Sequence, residues 1–201
     1  MKSKTAIYIA GAFLVIIVGL ILVSQLTGKQ YRFYGTLIDP PVEAYDFSLT
    51  HADGSVFRLN DQKGKVVLLF FGYTHCPDVC PTTLADYKAM AAELGDKADQ
   101  VAFVYITVDP QRDTPEIIAR YARAFNPAFI GLSGTDTELD PIYERYGVFH
   151  EIQDVQTADN YLVSHTSVIY VIDKQGDWRL TFPFELGPYE MVADVEYLLS
   201  E

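Results

Sequence analysis

The stretch Gly64–Pro81, GKVVLLFFGYTHCPDVCP, limits what this chain can become more than any other. Val66 to Phe71 is an unbroken run of β-branched, leucine and aromatic residues between two glycines, which predicts a strand buried on both faces. Such a strand needs sheet partners beside it and helices above and below, so an α/β architecture is expected. The only two cysteines of the chain follow directly. Cys76 and Cys80 are flanked by Pro77 and Pro81, which restrict the backbone and keep both thiols facing one small volume. Chemistry in α/β folds collects at strand ends, where this pair lies. Pro81 has no N–H to bond back to Pro77, which excludes a regular helix begun at Cys76. The sequence predicts a loop over Tyr73–Cys80 and a helix whose first turn starts at Pro81. The positive end of that helix would favour thiolate at Cys80.

A disulfide between cysteines so close in the chain closes too small a loop to restrict the unfolded state much, so the pair is read as chemistry rather than as a staple. With 49% apolar residues, the chain can build one well-packed domain without one. Ahead of that domain, every residue from Ala6 to Val23 is apolar, Gly or Tyr. As a helix this segment spans about 27 Å, close to the hydrocarbon thickness of a bilayer. Residues 1–28 are therefore expected to hold a cytoplasmic N-terminus and a single transmembrane helix. A cleaved signal peptide is the alternative, but Leu22–Gly28 offers no small-x-small cleavage site. Lys2, Lys4 and the α-amine precede the span, against Lys29 and Arg32 after it. This bias orients the C-terminal domain to the extracytoplasmic side of the cell membrane. All 27 acidic residues lie beyond the span and the net charge is −12, which disfavours nucleic acid as a partner.

Residues 29–44 read as a juxtamembrane tether, extended at Pro40 and Pro41, and residues 45–201 as the domain. Asp46–Thr50 and Ser55–Leu59 flank a turn at His51-Ala52-Asp53-Gly54, a β-hairpin in which His51 is a solvated turn residue. After the cysteines, Leu84, Tyr87, Ala91 and Leu94 share one helical face that ends at Gly95. Val101–Val108 is a second buried strand, parallel to the first. A helix follows near Glu116–Phe125, capped by Asp113 or Thr114 with Pro115 in its first turn. A short strand near Ala128–Leu132 and a helix near Thr137–Tyr146 come next. Strands at Val168–Ile172 and Arg179–Phe184 and a helix from Pro188 to Leu199 complete the chain. This order is the thioredoxin arrangement: an α/β, thioredoxin-like fold with an N-terminal β-hairpin extension.

In thioredoxin-type redox enzymes a cis-proline typically leads into the strand that follows the last crossover and packs on the cysteines. Here no proline occurs between Pro141 and Pro183, and His165 stands just ahead of Val168–Ile172. In that fold His165 enters beside Cys76 and Cys80. Two thiolates and an imidazole make a soft three-coordinate site, suited to Cu(I) and tolerant of Cu(II), whereas structural zinc wants four ligands. His75 should point away from its neighbour Cys76 and is read as packing or support for the site. His150 belongs to no constellation. Asp78 is a turn residue of the cysteine loop or an occasional oxygen ligand. The rival reading is a metal-independent thiol–disulfide oxidoreductase or redox sensor, against which the missing proline argues. A peroxidase would need a Pro-x-x-x-Thr-x-x-Cys pattern that neither cysteine has.

FFGYTHCPDVCP (Phe70–Pro81), TVDPQRDTPE (Thr107–Glu116) and SHTSVIYVID (Ser164–Asp173), in that order, resemble the Sco family, also called SenC. The resemblance runs from roughly Gly35 to the C-terminus. It implies a membrane-tethered copper protein that helps assemble the binuclear copper A centre of cytochrome c oxidase subunit II. One copper ion, Cu(I) or Cu(II), would be held by Cys76, Cys80 and His165. Implied partners are that subunit or another copper-accepting protein, a thiol reductant protein and the lipid bilayer. The dithiol would also exchange with the cysteines of the target. Asp109, Arg112 and Asp113 match the family's middle block, where they shape the turn and cap the helix or support the site. Many members carry an Asp where this chain has Ser164.

Overall fold

The all-apolar run after Gly64 forms β4 (Val66–Gly72), and every one of its residues is buried. The architecture around it comes from a computed structural model that describes residues 13–14, 16–19, 31–157 and 160–201. The chain divides into two units, Met1–Arg32 and Phe33–Glu201. In the first, residues 13–14 and 16–19 are helical. The rest of the expected transmembrane helix lies outside the described residues, and among those described no helix is long and apolar enough to cross a membrane.

The second unit is built on a six-stranded mixed sheet. Its remaining strands are β1 (Thr36–Glu43), β5 (Val101–Thr107), β6 (Ile130–Leu132), β9 (Val168–Ile172) and β10 (Asp177–Pro183), in the order β1-β10-β9-β4-β5-β6. β4 pairs parallel with β5 from Val66↔Val101 to Gly72↔Thr107 and antiparallel with β9. The α-helices among the described residues of this unit are α1 (Val79–Leu94), α2 (Pro115–Phe125), α3 (Asp136–Tyr146) and α4 (Pro188–Ser200). Thr114 caps α2, its side chain accepting from Ile117 N–H, and Pro115 opens the first turn, as its sequence predicts. β2 (Ser48–Thr50) and β3 (Val56–Arg58) form the expected hairpin, and Gly54 takes the positive φ of 83° that its turn needs.

Three features differ from the sequence expectation. Thr36–Glu43, read as tether, is instead the edge strand of the sheet, paired with β10. Prolines sit on edge strands because an edge N–H needs no partner, and β1 is exposed along almost its whole length, so it carries no hydrophobic signal. The domain grips the chain even earlier. The buried Asp194 carboxylate of α4 accepts the N–H groups of Tyr34 and Gly35, and Phe33 packs edge-on against Tyr197. Second, β7 (His150–Thr157) and β8 (Asn160–His165) form an unanticipated hairpin, a separate two-stranded sheet. Third, α1 begins at Val79, not at Pro81. The first N–H groups of a helix have no intrahelical partner, so a proline in the third position forfeits nothing.

Candidate metal centre

Gly72 ends β4 in line with Thr107 of β5, and its carbonyl accepts Val108 N–H at 2.8 Å. A Cβ on Gly72 would stand 2.7 Å from Cys80 Sγ and 2.8 Å from the Tyr105 ring, so only glycine lets the sulfur settle there. The chain then turns, with Cys76 N–H reaching Tyr73 O, and enters α1. Cys76 stays half-buried, whereas Cys80, in the first turn of α1, is fully buried.

His165 is the last residue of β8. Tyr161, Val163 and His165 alternate inward with the pleat, while Ser164 faces out opposite Glu151. The imidazole Nδ1 lies 3.0 Å from Thr166 O, which can only accept, so Nδ1 carries the proton and Nε2 is left as the free donor atom. Nε2 stands 3.4 Å from Cys80 Sγ, and the donor atoms of Cys76, Cys80 and His165 all lie within 4.8 Å of one another. Tyr73 and Phe70 pack edge-on against the imidazole, at 5.8 and 6.1 Å between centroids, and hold its plane.

The two thiols diverge electrostatically, and in the opposite sense to the sequence expectation. Cys76, not Cys80, is held far below the ordinary thiol range, first by a hydrogen bond from the Cys80 thiol, with the Cys80 N–H adding to the effect. Cys80 is pushed up, chiefly because its proton serves that bond and because it is buried. The free N–H at the start of α1 acts in the same sense: that of Cys80 points at Cys76 Sγ, at 3.5 Å, and not at its own sulfur. In the reduced chain, limiting iodoacetamide near neutral pH should therefore alkylate Cys76 at least about tenfold faster than Cys80. Peptide mass spectrometry checks this, and equal labelling would refute it.

Of the other residues singled out in the sequence, Asp78 is exposed at the N-cap of α1, where its backbone carbonyl accepts from Thr82; its side chain makes no capping bond. His75 is exposed, with Nδ1 at 3.1 Å from Thr74 Oγ1. His150 is the cross-strand partner of His165, but its ring packs on Tyr143 at 4.6 Å. His51 lies against Phe57 in the hairpin turn. Asp109 and Arg112 pair with each other and with Tyr161. Asp113, one of the two candidate caps for α2, is instead fully buried beneath the cysteine loop. It accepts Thr74 N–H at 2.9 Å, Thr107 Oγ1–H at 2.8 Å and the Thr74 hydroxyl. Sequence reasoning missed Tyr73, Thr74, Tyr105 and Tyr161. Only the alternation along β8 marked any of them.

Burial raises the pKa of Asp113 from the ordinary carboxylate value, against the hydrogen bonds from Thr74 and Thr107. A carboxyl that binds its proton more tightly when folded contributes stability that is full below the unfolded pKa of about 3.9 and is lost as pH rises through the folded value. Asp113→Asn removes that titration. Its urea midpoint should fall less than the parent's between about pH 4 and pH 7. An equally steep fall would show that other groups govern the dependence.

Residues 36–200 match the SCO1/SenC family. An SCO2-like protein of Rickettsia conorii is 34% identical over 157 residues, covering 78% of this chain and 75% of its own length. The solution structure of apo Sco1 from Thermus thermophilus superposes with a TM-score of 0.77 at 39% identity, over 86% of this chain and all of that one. Bradyrhizobium japonicum ScoI, solved with copper bound, gives a TM-score of 0.72 at 36% identity, over 78% of this chain and 99% of its own. The thioredoxin-type fold, the matched residues and the gathered Cys76, Cys80 and His165 agree: this chain belongs to the SCO1/SenC family.

Proposed function

We propose that this protein is a membrane-anchored copper chaperone that loads the copper A centre of cytochrome c oxidase or a similar copper-accepting protein. The observation that carries this reading is the convergence of two cysteine sulfurs and a free imidazole nitrogen within 4.8 Å at the end of the sheet. Two soft donors and one borderline donor suit Cu(I), and three ligands leave one side of the cargo open. The copper-bound Bradyrhizobium relative supports the same cargo.

Binding and release follow from the two exposures. Copper held by the buried Cys80, the half-buried Cys76 and His165 is reachable from the Cys76 side. An acceptor thiolate or imidazole enters there as a fourth donor, and copper passes over as the original bonds break one at a time. Linking Cys76 to Cys80 as a disulfide removes two donors and stops loading. The half-exposed Cys76 thiolate backed by a buried thiol also supports thiol–disulfide exchange with the acceptor. Cys76 would attack one sulfur of an acceptor disulfide, and Cys80 would then displace the acceptor's second thiolate. Two electrons pass to the acceptor, this chain is left oxidised, and a thiol reductant protein restores it. Residues 6–23 serve as the anchor in this reading, supported by exposed apolar Phe13, Leu14, Ile16, Ile17 and Val18 in the helical segment there.

Anaerobic Cu(I) titration of the full chain in detergent, reduced and then oxidised to the disulfide, tests the reading. Binding of one copper per chain by the reduced form alone is the expected result. Weak binding by the reduced chain, or equal binding by both forms, would sink it.

A further inference from the structure

The turn between β5 and α2, DPQRD over Asp109–Asp113, supplies none of the three donor atoms yet grips both segments that carry them. The grip matters because β7 and β8 form a sheet of their own, so among the described residues no backbone ladder ties the strand bearing His165 to the six-stranded sheet. Beyond the two-residue step through Thr166 and Ser167 into β9, side chains make the link. The Tyr161 hydroxyl donates to Asp109 Oδ1 at 2.7 Å. The Arg112 guanidinium lies 3.5 Å over the Tyr161 ring, and its Nη1 donates to the Tyr161 carbonyl at 3.0 Å. Arg112 Nε in turn donates to Asp109 Oδ2, and both side chains are almost fully buried. On the other arm, Asp113 holds Thr74 of the cysteine loop. Tyr73 closes the frame, its hydroxyl accepting Val163 N–H at 3.2 Å.

We propose that Asp109, Arg112 and Tyr161 are positioning residues: a clamp on β8 that sets where His165 stands relative to Cys76 and Cys80. Tyr161 and His165 share the inward face of one short strand, so fixing the Tyr161 ring prevents the roll of β8 that would swing the imidazole. A coordinate bond tolerates only about 0.2 Å, so a small roll removes His165 from the donor set while leaving the fold intact. Arginine is required because a planar guanidinium stacks on the ring and hydrogen-bonds in two directions at once, which an ammonium does not do. This inference rests on the copper reading and says which residues make the third donor available.

The test is a double-mutant cycle read by anaerobic Cu(I) competition on the full chain. Arg112→Lys and the milder Tyr161→Phe are each made alone and combined with His165→Ala. The Cu(II)-thiolate absorption and electron paramagnetic resonance spectra give a second readout of donor geometry. In the parent background each variant should lose affinity, about 10- to 100-fold for Arg112→Lys, and shift the Cu(II) spectrum. In the His165→Ala background neither should lose more, because the residue they position is gone. Equal losses in both backgrounds would show a general structural role and overturn the clamp. So would variants that bind like the parent while His165→Ala binds weakly, and that result leaves the copper reading standing. Equally weak binding by the parent and His165→Ala overturns both.

Discussion

Copper affinity should fall by about a hundredfold or more when His165 becomes alanine, and further still when Cys80 becomes serine. Losing a group that merely orients a ligand typically costs 10- to 100-fold, so losing a donor itself sets that figure as a floor. Among the described residues nothing nearby substitutes for the imidazole: His150 is packed on Tyr143, and the exposed Asp78 is absent from the donor cluster. Cys80→Ser is the harsher change because a buried hydroxyl is a hard, protonated donor where Cu(I) needs a soft thiolate. Competition against a calibrated Cu(I) chelator measures both. Parent-like affinity in either variant would remove that residue from the site.

The second large effect is on stability. Phe71→Ala should cost about 3–5 kcal/mol, a sizeable share of the 5–15 kcal/mol that holds a typical domain together, and lower Tm by roughly 6–20 °C. Phe71 is fully buried in β4 and packs against Tyr143, Tyr146 and Tyr170 with ring centroids 5.6–6.0 Å away. These neighbours come from a helix and from the sheet, so they cannot close together on the space left behind. Thermal unfolding monitored by circular dichroism gives the shift. A drop of less than about 3 °C would mean that the cavity collapses.

How far the sequence could be read depended on whether a segment's partners are local. β4 and β5 are runs of apolar residues that can only be buried strands, and they lie where their sequences put them. The start of α2 was equally clear, because Thr114 and Pro115 act within one turn. β1 was read as tether because two prolines and an exposed surface hide a strand whose partner lies far along the chain, in β10. The β7–β8 hairpin was missed because β7 is polar and exposed, so only β8 shows an inward face. The charge assignment of the two thiols was reversed because the dipole rule says where a helix end is favourable, not which thiol donates to the other or which sulfur the free N–H meets.

The sequence by itself determined the class of fold, the order of its elements and the two residue types able to make a soft donor set. Those follow from hydrophobic period, from proline and glycine chemistry and from the nature of thiol and imidazole. Only the tertiary structure decided that Cys80 and His165, 85 residues apart, meet at 3.4 Å, that Cys76 is the thiolate, and that Asp109 and Arg112 reach Tyr161. Each of these depends on distances across separate elements. Packing sets such distances, and local sequence patterns do not encode them.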